Sequence, residues 1–123
     1  MPLRILLDYD RGLPVYRQIY EAVLSALAAG NLDHDEQLPT IHDLAAELEI
    51  NPNTVARAYR ELEGDGYIVG KRGVGTFPAE APDVSAADRE SILRSIFDRA
   101  VGEAARHRIG VEEIIRYFRK ATR

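Results

Sequence analysis

The stretch LPTIHDLAAELEINPNTVARAYRELEGDGYIVGKRGVGTF, residues 38–77, decides how the rest of the chain is read. Ile41, Leu44, Ala45 and Leu48 recur at i, i+3, i+4 and i+7, the spacing of one buried helical face. Thr40 stands before them in the N-cap position, with Asp43 where a capping box more often has Glu or Gln. A few residues later Asn51 precedes Pro52. Proline is favoured at the first helical position because the N–H it lacks would have no intrahelical partner there. Val55, Ala58, Tyr59 and Leu62 give this second helix its apolar face, and Gly64 and Gly66 end it. Tyr67-Ile68-Val69 and Gly75-Thr76-Phe77 then flank Gly70-Lys71-Arg72-Gly73-Val74, a hairpin pattern with glycines for positive φ. Helix, tight turn, capped helix and basic hairpin, in that order, predict a winged helix-turn-helix.

On the N-terminal side, Leu3, Ile5 and Leu7 alternate with Arg4, Leu6 and Asp8, which predicts a short strand with one apolar face. Asp10 to Pro14 break that run. From Val15 to about Ala29, the positions Val15, Ile19, Val23 and Leu27, with Ala22 and Ala26 beside them, predict a helix that Gly30 closes. An acidic connection follows, with Leu32 and Leu38 as its anchors. On the C-terminal side, Pro78 to Ser85 has two prolines and no periodicity, the composition of a linker. Ser85 and Asp88 then open a helix whose stripe is continuous through Ile92, Leu93, Ile96, Phe97, Ala100, Val101 and Ala104. A last helix places Val111, Ile114, Ile115 and Phe118 inward and ends near Ala121. The expected fold is mainly α with a small β-hairpin: a winged helix-turn-helix over 1–77, a linker at 78–84, and a helical dimerisation region over 85–123.

Composition narrows the functional classes. At 123 residues the chain is one domain, or one small domain with an appendage, which excludes a large two-lobed enzyme. It has no cysteine, hence no disulfide, thiolate metal site or cysteine nucleophile. No apolar run approaches the about 20 residues that span a bilayer, and Pro2-Leu3-Arg4 does not begin a signal peptide, so a cytoplasmic protein away from membranes is expected. His34, His42 and His107 lie far apart without metal-ligand spacing, and Asp33, Asp35 and Glu36 read as a solvated acidic loop. No phosphate loop, dinucleotide fingerprint or nucleophile elbow occurs; neither a metal, a cofactor nor an enzymatic activity is expected. The net charge of −4 is unevenly placed: residues 1–50 carry 3 Arg against 9 Asp and Glu, whereas 51–79 and 80–123 each have one positive charge in excess.

Once its apolar stripe is subtracted, the second helix of the opening stretch presents Asn51, Asn53, Thr54, Arg57 and Arg60. Recognition helices meet base edges with residues of this kind near their N-termini: Asn pairs with adenine, Arg with guanine, and Thr with phosphate or a thymine methyl. The same residues also suit a purely structural role, with Asn51 and Thr54 as caps and Arg57 and Arg60 paired to Glu61 and Glu63. Lys71, Arg72 and Gly73 make a compact cationic hairpin tip that fits a phosphate backbone or a minor groove, or serves as a charged turn. The order of the pieces carries the DNA-binding reading more than any one of them.

The run from Gly30 through LPTIHDLAAEL, INPNTVARAYRELE, GDGYI and RGVGTF resembles the DNA-binding domain of GntR-type bacterial transcription regulators, over roughly residues 13–77. The short two-helix tail resembles the YtrA subfamily. The resemblance implies a dimeric repressor on double-stranded DNA, at a pseudo-palindromic operator often near transporter genes. It implies that Thr40 holds phosphate, that Asn51, Asn53, Thr54 and Arg57 make the recognition-helix contacts, and that Lys71, Arg72 and Gly73 form the wing. One position departs: the family commonly has Arg three residues after the Pro of its Leu-Pro pair, where this chain has His42. A permanent cation gives way to an imidazole, expected to touch the DNA backbone weakly and with pH dependence.

The tail stripe is wider than two short helices need alone. Two copies about a two-fold axis would bury it and present two recognition helices to two half-sites; packing on the first helix of the same chain is the alternative. A small-molecule effector, if one acts, would bind at the dimer interface or between tail and winged helix, with the linker as hinge. An acidic winged helix also suits a protein–protein interaction module without DNA readout, the competing function.

Overall fold

The computed structural model describes residues 3–81 and 84–121, so Pro82 and Asp83 of the expected linker lie outside the described residues. The helices follow the apolar spacings closely. Helix α1 spans Val15–Ala28, α2 Ile41–Leu48 and α3 Pro52–Gly64; strands β1, Ile68–Lys71, and β2, Gly75–Pro78, form the hairpin; α4 covers Ala86–Arg106 and α5 Val111–Ala121. The chain divides into two compact units, Met1–Glu80 and Ala81–Arg123.

In the first unit α1, α2 and α3 bring their apolar faces together. Ile19, Val23, Leu38, Leu44, Val55 and Leu62 are fully enclosed, and Ile68 of β1 closes the same core. Each such side chain contributes about 1.5–3 kcal/mol over an exposed one, so the core rather than intrinsic helix propensity holds the eight residues of α2 in place. The caps are formed by local chemistry: Thr40 Oγ1 accepts from the Asp43 N–H at 3.0 Å, and Asn51 Oδ1 from the Asn53 N–H at 2.8 Å. Between them Glu49 turns the chain with φ 57°, which keeps the α2–α3 connection short.

The expected N-terminal strand does not form. Residues 3–8 keep the predicted alternation, with Leu3 buried and Leu6 96% exposed, but no strand among the described residues pairs with them. Their anchor is a side chain. The buried amide of Gln18 accepts from the Asp8 N–H and donates to the Asp8 and Leu13 carbonyls, at 2.8, 2.8 and 2.9 Å, which satisfies backbone that a ladder would otherwise serve. Alternation reports burial on one side, not a partner.

The second unit starts as expected, with Ser85 Oγ accepting from the Asp88 N–H at 3.1 Å. Arg108, at φ 57°, turns the chain after α4, and the Ile109 N–H returns to the Ala104 carbonyl at 2.9 Å. Ala104 is buried there, whereas Ile92, Leu93, Ile96 and Phe97 remain between 48% and 55% exposed. No helix among the described residues is long and apolar enough to cross a membrane.

Candidate nucleic-acid interface

Residues 37–39 tie together the pieces that the opening stretch supplies. The Leu38 N–H donates to the Thr76 carbonyl of β2 at 2.8 Å, so the chain entering α2 lies along the hairpin. Tyr59 of α3 donates its hydroxyl to the Pro39 carbonyl at 2.7 Å, and burial pushes that phenol well above its ordinary pKa. Gln37 lies across Gly75, where the backbone has φ +141° and a Cβ would meet Gln37 Nε2 at 2.2 Å. The start of α2, the recognition helix and the wing thus share one anchor. At the far end of α3, Tyr20 of α1 donates to Asp65 Oδ2 at 2.5 Å. That bond, aided by burial, raises the Tyr20 pKa from 10.0 to about 12.

Each expected contact residue can now be placed. Thr40 and Asn51 are both caps; Thr40 keeps its hydroxyl proton and Asn51 its NH2, so capping leaves them donors for DNA. Thr54 is half-buried and caps nothing with its side chain: its N–H donates to the Asn51 carbonyl at 3.0 Å, as in any first helical turn. His42, Asn53, Arg57 and Arg60 are exposed. The ion pairs of Arg57 and Arg60 with Glu61 and Glu63 that a purely structural role would give are not formed among the described residues. Glu61 turns one carboxylate oxygen out of solvent, and Glu63 accepts from the Gly70 N–H of the wing at 3.4 Å. Arg57 instead rests on the ring of Tyr16, its guanidinium carbon 3.8 Å from the centroid.

The wing pairs Ile68 with Pro78, Val69 with Phe77, Gly70 with Thr76 and Lys71 with Gly75. Each strand therefore runs slightly further than the apolar pattern suggests. Arg72, Gly73 and Val74 form the tip; Gly73 has φ +77°, and the Val74 N–H closes the turn on the Lys71 carbonyl at 2.9 Å. Lys71 lies over Phe77 at 4.8 Å, while Arg72 is exposed. The residues expected at a dimer contact belong to the second unit, on α4: Ile92, Leu93, Ile96, Phe97 and Ala100 are exposed and Val101 is half-buried. Sequence reasoning missed Tyr16 and Gln37. Neither lies near its partner in the chain, and no local spacing signals the contact.

Comparison with known proteins agrees with this geometry. Residues 15–77 match the family described as bacterial regulatory proteins, gntR family. The chain is 37% identical over 76 residues to the HTH-type transcriptional repressor YtrA of Bacillus subtilis, an alignment covering 62% of this chain and 58% of that protein. The solved structure of YtrA from Sulfolobus acidocaldarius, a GntR-family transcription factor, superposes with a TM-score of 0.59 at 28% identity, over 83% of this chain and 99% of that one. The DNA-binding domain of AraR in complex with operator ORX1 does so with 0.55 at 28% identity, over 63% of this chain and 96% of its own. Among the relatives it matches, the share of their length that the chain spans varies from 17% to 89%. With its winged helix-turn-helix and a family match over more than half of its residues, the chain belongs to the gntR family of bacterial regulatory proteins, as a YtrA-like, DNA-binding transcription regulator.

Proposed function

We propose that the protein is a dimeric repressor that occupies a pseudo-palindromic operator of a nearby transporter operon. Two winged helix-turn-helix regions, residues 1–77, read the half-sites, and two helical tails, residues 85–123, join the copies. The observation that carries this reading is the shared anchor at residues 37–39, which supports α3 and the wing as one rigid head. In that head Asn51, Asn53, Thr54 and Arg57 face base edges, Thr40, His42 and Arg60 meet the phosphate backbone, and Lys71, Arg72 and Gly73 follow the groove beside it. The linker between β2 and α4 lets the two heads adjust to operator spacing, and an effector entering the dimer interface would act by changing that adjustment. The protein works in the cytoplasm, without enzymatic activity.

Salt dependence tests the reading. Neutralising phosphates releases counterions, so the affinity of the wild type for a selected duplex should fall steeply with salt. Lys71→Ala with Arg72→Ala should reduce the log–log slope by about 2 per head. A wild-type affinity indifferent to salt would favour the protein-interaction module, for which the acidic N-terminal half is better suited.

A further inference from the structure

The Tyr16 ring lies beneath Arg57, and this pair has a consequence for reading DNA. Tyr16 is the second residue of α1, Arg57 lies in the second turn of α3, and the guanidinium carbon stands 3.8 Å from the ring centroid. We propose that Tyr16 is a positioning residue for base readout: its ring fixes the plane of the Arg57 guanidinium so that it can meet a guanine edge. The inference rests on the DNA-reading role of α3 proposed above.

Arginine reads guanine through two nearly parallel hydrogen bonds to O6 and N7, which demands a set orientation of a planar group on a long, flexible stem. Stacking on an aromatic face holds that plane and leaves the N–H donors, all in the plane, unobstructed. No carboxylate neutralises Arg57 among the described residues, so its charge remains available to DNA. Arg60 is exposed on the same helix with neither ring nor carboxylate against it among the described residues, an arrangement that suits a sequence-independent phosphate contact. The two arginines therefore divide the work: Arg57 specifies and Arg60 holds.

Packing alone does not explain the contact. The α1–α3 interface is carried by Ile19, Val23, Val55 and Leu62, which are fully enclosed, whereas Tyr16 is only partly buried and Arg57 is exposed. Tyr16 packs against the edge of that core, so Tyr16→Leu, which keeps an apolar side chain there, removes the ring and retains the apolar contact.

The experiment uses the full chain and a duplex selected from random sequence by the wild-type protein, with a scrambled duplex of equal length as reference. Tyr16→Leu should weaken binding to the selected duplex by about 3- to 10-fold, as loss of a cation–π contact implies, and leave the scrambled duplex and the salt slope unchanged. Tyr16→Phe, which keeps the ring, should bind as wild type. Arg57→Ala should lose specific affinity, and adding Tyr16→Leu to it should change nothing further. Equal losses on both duplexes, additive losses in the double variant, or tighter binding by Tyr16→Leu would overturn the proposal. If Arg57→Ala loses specificity while Tyr16→Leu keeps it, only the role of Tyr16 falls. Should Arg57→Ala bind as wild type, or should no duplex be selected, the reading of α3 falls and the inference with it.

Discussion

The hydroxyl of Tyr20 connects α1 to the end of α3 through Asp65, and its proton is what makes the bond. Its pKa in the fold is about 12 against an ordinary 10.0, so the folded state keeps a proton that the unfolded chain loses first. The contribution to stability is complete below pH 10 and disappears as the pH rises toward 12. Tyr59, raised in the same direction by burial, adds to the alkaline loss. Urea unfolding at pH 8 and pH 11 should therefore show a smaller difference for Tyr20→Phe than for wild type; an equal difference would remove Tyr20 from the account. Asn51 allows a separate test, because cap and contact can be pulled apart. Replacing a capping Asn by Ala costs about 1 kcal/mol, by Gly only a few tenths. Asn51→Gly should thus melt close to wild type yet lose at least about tenfold in operator affinity, the loss expected for one base contact. Unchanged affinity would leave Asn51 as a cap alone.

Among the elements, the wing depends most on a single backbone position. Gly75 has φ +141°, and a Cβ there would lie 2.2 Å from Gln37 Nε2 and 2.6 Å from its Cδ. Gly75→Ala should cost about 1–3 kcal/mol through the strained backbone and displace the hairpin, with a larger loss in DNA affinity than in stability. Gln37→Ala relieves the collision but not the φ, so the double variant should recover only part of the loss in urea unfolding. Full recovery would show that the collision alone mattered. The three helices of the first unit were legible in the sequence because each packs one periodic face: the stripe Val55, Ala58, Tyr59 and Leu62 is the buried set of α3, whereas α5, expected to turn Val111, Ile114, Ile115 and Phe118 inward, buries none of them. The caps of α2, α3 and α4 were legible because capping is a local hydrogen bond. Contacts across the fold were not. Tyr16 beneath Arg57, Gln37 across Gly75 and Gln18 pinning residues 3–8 depend on how helices and loops meet, which no periodicity encodes. The predicted strand failed for the same reason, since alternation says which face is buried and not what lies beside the backbone.

At the scale of the molecule, the two units are built differently. The first encloses a core from three helices and the hairpin; in the second, Ala104 is the one buried residue among those described, and Ile92, Leu93, Ile96 and Phe97 stay about half exposed. An apolar face of that kind in a short helical unit suits association, and a second copy of the same stripe is the occupant that the dimer proposal assigns to it. The stripe was legible in the sequence because it repeats at helical spacing. Ile96→Glu with Phe97→Glu places two carboxylates on the stripe and leaves the core of the first unit untouched. Wild type should sediment as a dimer at micromolar concentration and the double variant as a monomer. Because linking two heads makes the second half-site contact intramolecular, the variant should lose about 10²-fold or more on the full operator. On a single half-site it should bind nearly as well as one wild-type head, since residues 1–77 keep their core. A variant that remains dimeric with full operator affinity would move the interface away from α4, whereas a monomer that still binds the full operator tightly would show that one head suffices.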